Sequence, residues 1–194
     1  DKTLTEENKE ILNHALTESV VRLDDVVNDI NHILQLKREI NETRDKVCFS
    51  ELVDNIKKSI KNIIDKGYID IQYDFSECDE LISIKSYMYS IFYNLISNSI
   101  KYRQQDLPCI VSIRSEKSGN KTELIFTDNG MGIDLKKKGE QVFGLYKRFH
   151  SNIEGKGIGL FMVKTQVESI GGKIGIQSEV NKGTEFRIEF ETTV

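Results

Sequence analysis

The chain has 194 residues, 27 basic and 31 acidic, for a net charge of −4. That length makes one ordinary domain plus a remainder, and that charge argues against a nucleic-acid partner, which favours a basic face. With 38% hydrophobic residues, one Pro, no Trp and three Cys, collagen-like, mucin-like and disulfide-scaffold classes are excluded. Cys48, Cys78 and Cys109 form no C-x-x-C pair and read as reduced thiols, not as zinc ligands or bridges. No apolar run reaches the roughly 18–20 residues of a membrane span, and no signal peptide opens the chain. A cytoplasmic domain is expected, in a full-length protein that is free to carry a membrane anchor elsewhere.

All 13 glycines lie between Gly67 and Gly183, and residues 1–45 are net −5 where residues 46–194 are net +1. The shift places a domain boundary near Asn41–Lys46, dividing the chain into 1–45 and 46–194. The first part reads as one long bundle-type helix. Thr3 and Glu6 fit a capping box. Leu16, Val20, Leu23, Val27, Ile30 and Leu34 form an a/d seam, widened by Ile11, Leu12, Ala15, Val26 and Ile33. Such a face needs partner helices, either from a second copy or from another segment.

The second part alternates. Val47–Phe49 predicts a short strand. Ser50–Asp65 predicts a helix with Ser50 as its cap. Ile69, Ile71, Tyr73 and Phe75 alternate as a strand. Ser86–Tyr102 is helical. Ile110–Ser115 and Glu123–Thr127 predict two strands around a turn at Ser118-Gly119-Asn120. Gly157–Ile170 predicts a helix closed by Gly171-Gly172. Lys173–Ser178 and Glu185–Glu191 complete the set around Asn181-Lys182-Gly183. The expected fold is an α/β two-layer sandwich, with a mixed sheet of about five strands and three helices.

Three clusters carry chemistry. Asn94, Asn98 and Lys101 share one face of a helix. Amide oxygens ligate hard cations and a lysine meets phosphate, although a polar stripe facing water has the same spacing. Asp128-Asn129-Gly130-Met131-Gly132-Ile133 follows a strand. A carboxylate there can accept from an exocyclic amine such as that of adenine, and the glycines admit a ligand to the backbone. A plain Asp-Asn-Gly turn is the simpler alternative. Gly155-Lys156-Gly157-Ile158-Gly159-Leu160 opens a helix as an anion site would, or as a flexible glycine-capped loop would. It is neither a Walker A motif nor G-x-G-x-x-G. Between the last two clusters, Asp134–Glu154 carries cations and aromatics, including Val142 to His150, and suits a lid over phosphates.

In this order, the four features resemble the N, G1, F and G2 boxes of the ATP-binding domain of sensor histidine kinases. These belong to the wider group with gyrase, Hsp90 and MutL that shares the Bergerat-type fold. Gly171-Gly172-Lys173-Ile174 and Gly183-Thr184-Glu185-Phe186 resemble its closing strands, so the resemblance runs from about Val47 to Val194. It implies that Asn98 ligates magnesium with Asn94 beside it, and that Lys101 and Tyr102 contact phosphate and ribose or base. Asp128 would accept from the adenine amine, and Gly130, Gly132 and Ile133 would line the approach. Arg148 would be the lid cation, Gly155, Lys156, Gly157, Gly159 and Leu160 the second glycine loop, and Thr184 a neighbour of the adenine-side water. The cofactors implied are ATP and Mg²⁺. The partners implied are a second copy of the full-length chain and a response regulator receiver domain.

Position 94 narrows the activity. Hydrolysing members of the group carry a Glu four residues before the magnesium Asn, and an amide cannot act as a general base. Phosphoryl transfer to a protein side chain therefore fits better than fast hydrolysis. Leu145 stands where Pro is frequent, Ser99 replaces the usual Ala, and Lys156 replaces a small residue. The first two are expected to be tolerated and the third to strengthen nucleotide binding. Neither His14 nor His32 is followed by the acidic residue and Pro of the family's acceptor motif. No catalytic nucleophile is therefore assigned within this chain, and the acceptor is expected on an upstream helix. A Ser/Thr kinase of the same nucleotide fold and a non-catalytic nucleotide-sensing scaffold are the alternatives.

Overall fold

The computed structural model describes residues 12, 16–17, 20, 43–149, 153 and 156–191. The chain divides into two compact units, Asp1–Glu42 and Thr43–Val194. In the first, Leu12, Leu16, Thr17 and Val20 are helical and exposed. The Thr3 capping box, the rest of the seam, His14 and His32 lie outside the described residues.

The second unit is built on a five-stranded sheet. In chain order its elements are β1 (Asp45–Cys48), α1 (Phe49–Ser59), α2 (Lys61–Gly67), β2 (Ile69–Asp74), β3 (Glu80–Ser83) and α3 (Lys85–Lys101). They continue with β4 (Cys109–Ser118), β5 (Lys121–Asp128), α4 (Leu135–Lys138), α5 (Gly159–Ser169), β6 (Lys173–Glu179) and β7 (Gly183–Glu191). The sheet order is β2-β4-β5-β7-β6, with β2 parallel to β4 and the remaining pairs antiparallel. β1 and β3 pair separately as a two-stranded antiparallel sheet.

The alternation written in the strands decides the layers. Val111 and Ile113 of β4, Leu124 and Phe126 of β5, and Phe186, Ile188 and Phe190 of β7 are buried. They meet the apolar side of α3, where Tyr87, Met88, Ile91, Phe92, Leu95, Ile96 and Ile100 recur at helical spacing. Phe92 stands edge-on to Phe126 with ring centroids 4.9 Å apart. The opposite face is mainly charged: Arg187 bridges Glu123 at 3.2 Å and Glu185 at 2.7 Å, beside the buried Ile125 of β5. A mainly apolar and a mainly charged face give the expected two-layer sandwich.

Three local expectations are corrected. The helix over Ser50–Asp65 is two helices, broken at Ile60 (φ −107°, ψ 16°). Ser59 Oγ donates to the Ile56 carbonyl at 2.7 Å, a side-chain bond that competes with helix continuation. Ser50 is not the cap of α1, since Cys48 holds that position without a side-chain cap bond. Asp79 serves instead, accepting from Ser50 N at 2.8 Å and Ser50 Oγ at 2.7 Å, while Phe49 N donates to the Asp79 carbonyl at 2.8 Å. Strand β3 had no counterpart in the pattern, because four residues are too few to show a period. Among the described residues no helix is long and apolar enough to cross a membrane.

Candidate functional site

The three clusters converge where α3 ends, β5 ends and α5 begins. On α3 the apolar face leaves a half-buried flank at Asn94, Asn98 and Lys101. Asn94 Nδ2 donates to the Ser90 carbonyl at 2.8 Å, which turns its Oδ1 away from its own helix. A Cβ on Gly159 would stand 3.0 Å from that Oδ1 and 3.8 Å from Asn98 Nδ2. The first residue of α5 is therefore a glycine set directly against the two amides. The Asn98 side chain has no hydrogen-bond partner among the described residues, so its amide is available to a ligand. Lys101 Nζ lies 5.1 Å from the centre of the Tyr102 ring.

The second cluster is pinned from three directions. Met131 N donates to the Tyr102 carbonyl at 2.9 Å, and Asn181 N to the Met131 carbonyl at 2.8 Å. Ile133 N donates to Ser178 Oγ at 2.8 Å. A Cβ on Gly130 would stand 2.7 Å from the Tyr102 carbonyl oxygen. Gly132 has φ +62°, and a Cβ there would overlap the Glu179 carbonyl. Both glycines are demanded by backbone packing as well as by any ligand. Asn129 behaves as a strand residue made from a side chain: its Oδ1 accepts from Ile110 N and its Nδ2 donates to the Pro108 carbonyl, both at 2.9 Å.

Asp128 sits at the centre. Its Oδ1 accepts from Gly130 N at 2.8 Å and from Thr184 N at 3.2 Å, and its Oδ2 accepts from Ser99 Oγ at 3.0 Å. Burial pushes the Asp128 carboxyl above the usual carboxylate range, and the three donors oppose that push. Burial, helped by the Asp128 charge, also raises the Cys109 thiol, with Arg103 opposing. Thr184 Oγ1 lies 2.9 Å from Ser178 Oγ, so one hydroxyl pair joins β6 and β7 beside the carboxylate.

The lid segment is rooted in the core by Val142, which is 1% exposed, and by Phe143, edge-on to Phe186 at 6.5 Å. Gly157 (φ +74°) packs its backbone on that of Lys147, tying the second glycine loop to the lid. Leu160 is half-buried in the first turn of α5 and Lys156 is exposed. Arg148 is exposed and donates to the Ile153 carbonyl at 2.7 Å, within its own segment. Gly155 lies outside the described residues. Two contributors escaped the sequence reading. Ser99 was expected to be tolerated, yet it bonds Asp128. Gln104 Nε2 lies 2.8 Å from the Asn129 carbonyl, 3.2 Å from that of Gly130 and 3.3 Å from that of Asn181, joining both loops behind the site. Ser99 carried a signal in its departure from the usual Ala; Gln104 carried none.

A half-buried carboxylate on a strand end, an amide unpartnered among the described residues and a glycine-opened helix stand in one place. Residues 83–194 match the model described as histidine kinase-, DNA gyrase B-, and HSP90-like ATPase. The chain belongs to this ATPase family. It is 27% identical over 178 residues to the methanogenesis regulatory histidine kinase FilI of Methanothrix harundinacea, covering 87% of this chain and 19% of that protein. It is 26% identical over 189 residues to the signal transduction histidine-protein kinase ArlS of Staphylococcus aureus, covering 93% and 41%. The chain thus spans well under half the length of these relatives. Among solved structures, histidine kinase AdeS of Acinetobacter baumannii aligns with a TM-score of 0.72 at 18% identity, covering 95% of this chain and 86% of that one. Full-length ShkA in complex with AMPPNP aligns with a TM-score of 0.72 at 22% identity, covering 100% and 41%. At these identities the structural likeness establishes the fold, and the family match establishes an ATPase-type nucleotide domain.

Proposed function

We propose that this chain is the catalytic, ATP-binding part of a two-component sensor histidine kinase, delivering the γ-phosphoryl group of ATP to a histidine side chain. The observation that carries the reading is the convergence of Asp128, Asn98 and Gly159 at one end of the sheet. Asp128 accepts from the amine of adenine. Gly130, Gly132 and Ile133 bring the base to the backbone, and Thr184 holds the carboxylate beside it. Lys101, Tyr102, Lys156 and Arg148 serve ribose and phosphates, with Gly155, Gly157, Gly159 and Leu160 opening α5 toward the anion. Asn98 fits Mg²⁺ as one oxygen ligand among phosphate and water oxygens, because its amide has no partner among the described residues and magnesium keeps several non-protein ligands. When bound, the ion neutralises phosphate charge.

Phosphoryl transfer asks the protein mainly to position and to stabilise charge. Asn94 supports transfer over hydrolysis, since its amide accepts no proton from water. Neither His14 nor His32 has the adjacent acid of the family's acceptor, so the accepting histidine belongs to a different helix. The working assembly is a homodimer on the cytoplasmic side, handing phosphate to a response regulator receiver domain. The histidine kinases among the relatives support this reading over a Ser/Thr kinase of the same fold.

The test is incubation with labelled ATP·Mg²⁺, with and without a separate domain that carries an acceptor histidine. Acid-labile label is expected on the added domain only. Label on this chain alone, lost in His14→Gln, would move the acceptor onto its first helix. Transfer only to serine or threonine of a partner would favour the other kinase class. ATP binding with no transfer to any partner would leave a nucleotide-sensing scaffold.

A further inference from the structure

The inference rests on the reading of Asp128 as the acceptor for the nucleotide base. The donors around this carboxylate are unevenly placed. Oδ1 takes two backbone N–H groups, Gly130 at 2.8 Å and Thr184 at 3.2 Å. Oδ2 takes Ser99 Oγ at 3.0 Å, leaving its other lone pair for a ligand. Ser99 is 7% exposed, and its single hydroxyl proton has two acceptors in reach, Asp128 Oδ2 and the Leu95 carbonyl at 3.1 Å. We propose that Ser99 is a positioning residue for base recognition. Its hydroxyl donates to Asp128 Oδ2, keeping the carboxylate ionised and its remaining lone pair turned toward a purine amino group.

The surroundings leave this task to neutral donors. Among the described residues no cation pairs with Asp128. From β4 the facing ionisable group is the Cys109 thiol, which burial keeps neutral. Beyond α3, Arg103 donates to the Ile100 carbonyl at 2.9 Å, and Lys101 lies over the Tyr102 ring. From β7, Thr184 adds a hydroxyl shared with Ser178. α5 opens with Gly159, Leu160, Phe161 and Met162, none ionisable, and its Lys164 lies over Phe143. Of the three donors on the carboxylate, two are backbone, so Ser99 is the one that a substitution removes. A protonated Asp128 sets an O–H against the purine amine, donor against donor, and the base loses its acceptor.

The experiment is calorimetric titration of the 194-residue chain with ATP·Mg²⁺ from about pH 5 to about pH 8.5, on the natural chain, Ser99→Ala, Ser99→Cys, Ser99→Thr and Asp128→Asn. The ionisation of ATP itself is common to all and cancels in the comparison. In Ser99→Ala the pH at which affinity falls should move up by about one unit, giving about tenfold weaker binding at the acid end and under about threefold difference at the alkaline end. Ser99→Thr should restore the natural midpoint. Ser99→Cys, a weaker donor, should shift it less, and it decides the matter if the alanine variant fails to fold. An unmoved midpoint in the alanine and cysteine variants overturns the proposal. So does tighter binding at every pH, which would mean that the hydroxyl competes with the base. If Asp128→Asn binds like the natural chain, the nucleotide reading itself fails. If Asp128→Asn loses binding while Ser99→Ala keeps the natural midpoint, only the role of Ser99 falls.

Discussion

Gly183 and Asp128 meet backbone to backbone. A Cβ on Gly183 would overlap the Asp128 carbonyl oxygen, and its φ of +111° excludes ordinary side chains in any case. The next residue, Thr184, then lies opposite Asp128 in the ladder and donates its N–H to the carboxylate. One glycine thus sets the hydrogen-bonding of the candidate base acceptor.

Gly183→Ala should therefore cost about 2–5 kcal/mol from left-handed strain plus overpacking. Gly175 offers the contrast, because a Cβ there meets nothing within 4 Å and its φ is ordinary. Gly175→Ala should stabilise by about 0.5–1 kcal/mol, the usual gain of replacing a mid-strand glycine. Urea unfolding of both variants is the check. Equal midpoints would sink the argument.

Asp128→Asn separates stability from binding. The folded carboxyl titrates above its unfolded value because of burial. Such a group contributes stability that is full below its unfolded pKa and lost as pH rises through its folded pKa. At neutral pH the ionised carboxylate is therefore a burden on the empty domain. Asparagine relieves it without breaking contacts: Oδ1 keeps Gly130 N and Thr184 N, and Nδ2 can donate to Ser99 Oγ while that hydroxyl turns to the Leu95 carbonyl. The expected outcome is a higher Tm near neutrality, with the gain shrinking on acidification. ATP affinity should fall about 10- to 150-fold, the loss of a hydrogen bond to a charged group. A lower Tm near neutrality, or undiminished ATP affinity, contradicts this account.

The cap of α1 gives a prediction and marks the limit of sequence reading. Burial alone would raise the Asp79 carboxyl, but hydrogen bonds from Ser50 Oγ and N, with Cys48 Sγ and Phe49 N, outweigh it and hold Asp79 below the usual carboxylate range. A depressed folded pKa contributes stability above the unfolded pKa and loses it as pH falls through the folded one. Asp79→Ala should cost about 0.5–2 kcal/mol at neutral pH, the worth of a helix cap, and progressively less as acid protonates the depressed Asp79 carboxyl. A loss independent of pH would assign the effect to packing. Ser50 looked like the cap because caps are sought next to the helix, whereas Asp79 arrives from 29 residues away. The same distinction runs through the site. The α3 stripe and the glycines were legible because helical spacing and φ > 0 are local properties. Ser99 and Gln104 act across 25 to 77 residues, through contacts that exist only after the sheet has closed. β3 was obscured for the opposite reason, being too short to carry a pattern, whereas the Val47–Phe49 pattern found β1 with its bounds shifted toward the helix.

Gly159 is where conformational preference and ligand geometry pull apart. It is the first residue of α5, its φ is not in the left-handed region, and alanine is favoured over glycine in a helix by up to about 1 kcal/mol. Stability alone would thus welcome Gly159→Ala. The added Cβ would stand 3.0 Å from Asn94 Oδ1, a contact tight enough that one partner must yield. Asn94 cannot swing freely, since its Nδ2 is held by the Ser90 carbonyl at 2.8 Å. The adjustment therefore falls on the separation between α5 and α3, and with it on the unpartnered amide of Asn98, 3.8 Å from the same Cβ. Unfolding free energy should change by less than about 1 kcal/mol in either direction, while ATP·Mg²⁺ affinity drops about 3- to 10-fold. Parallel thermal melts and calorimetry measure the two effects. A variant with natural affinity would show that the α3 amides and the start of α5 do not share a ligand, whereas one that loses stability and affinity together would show a distorted fold.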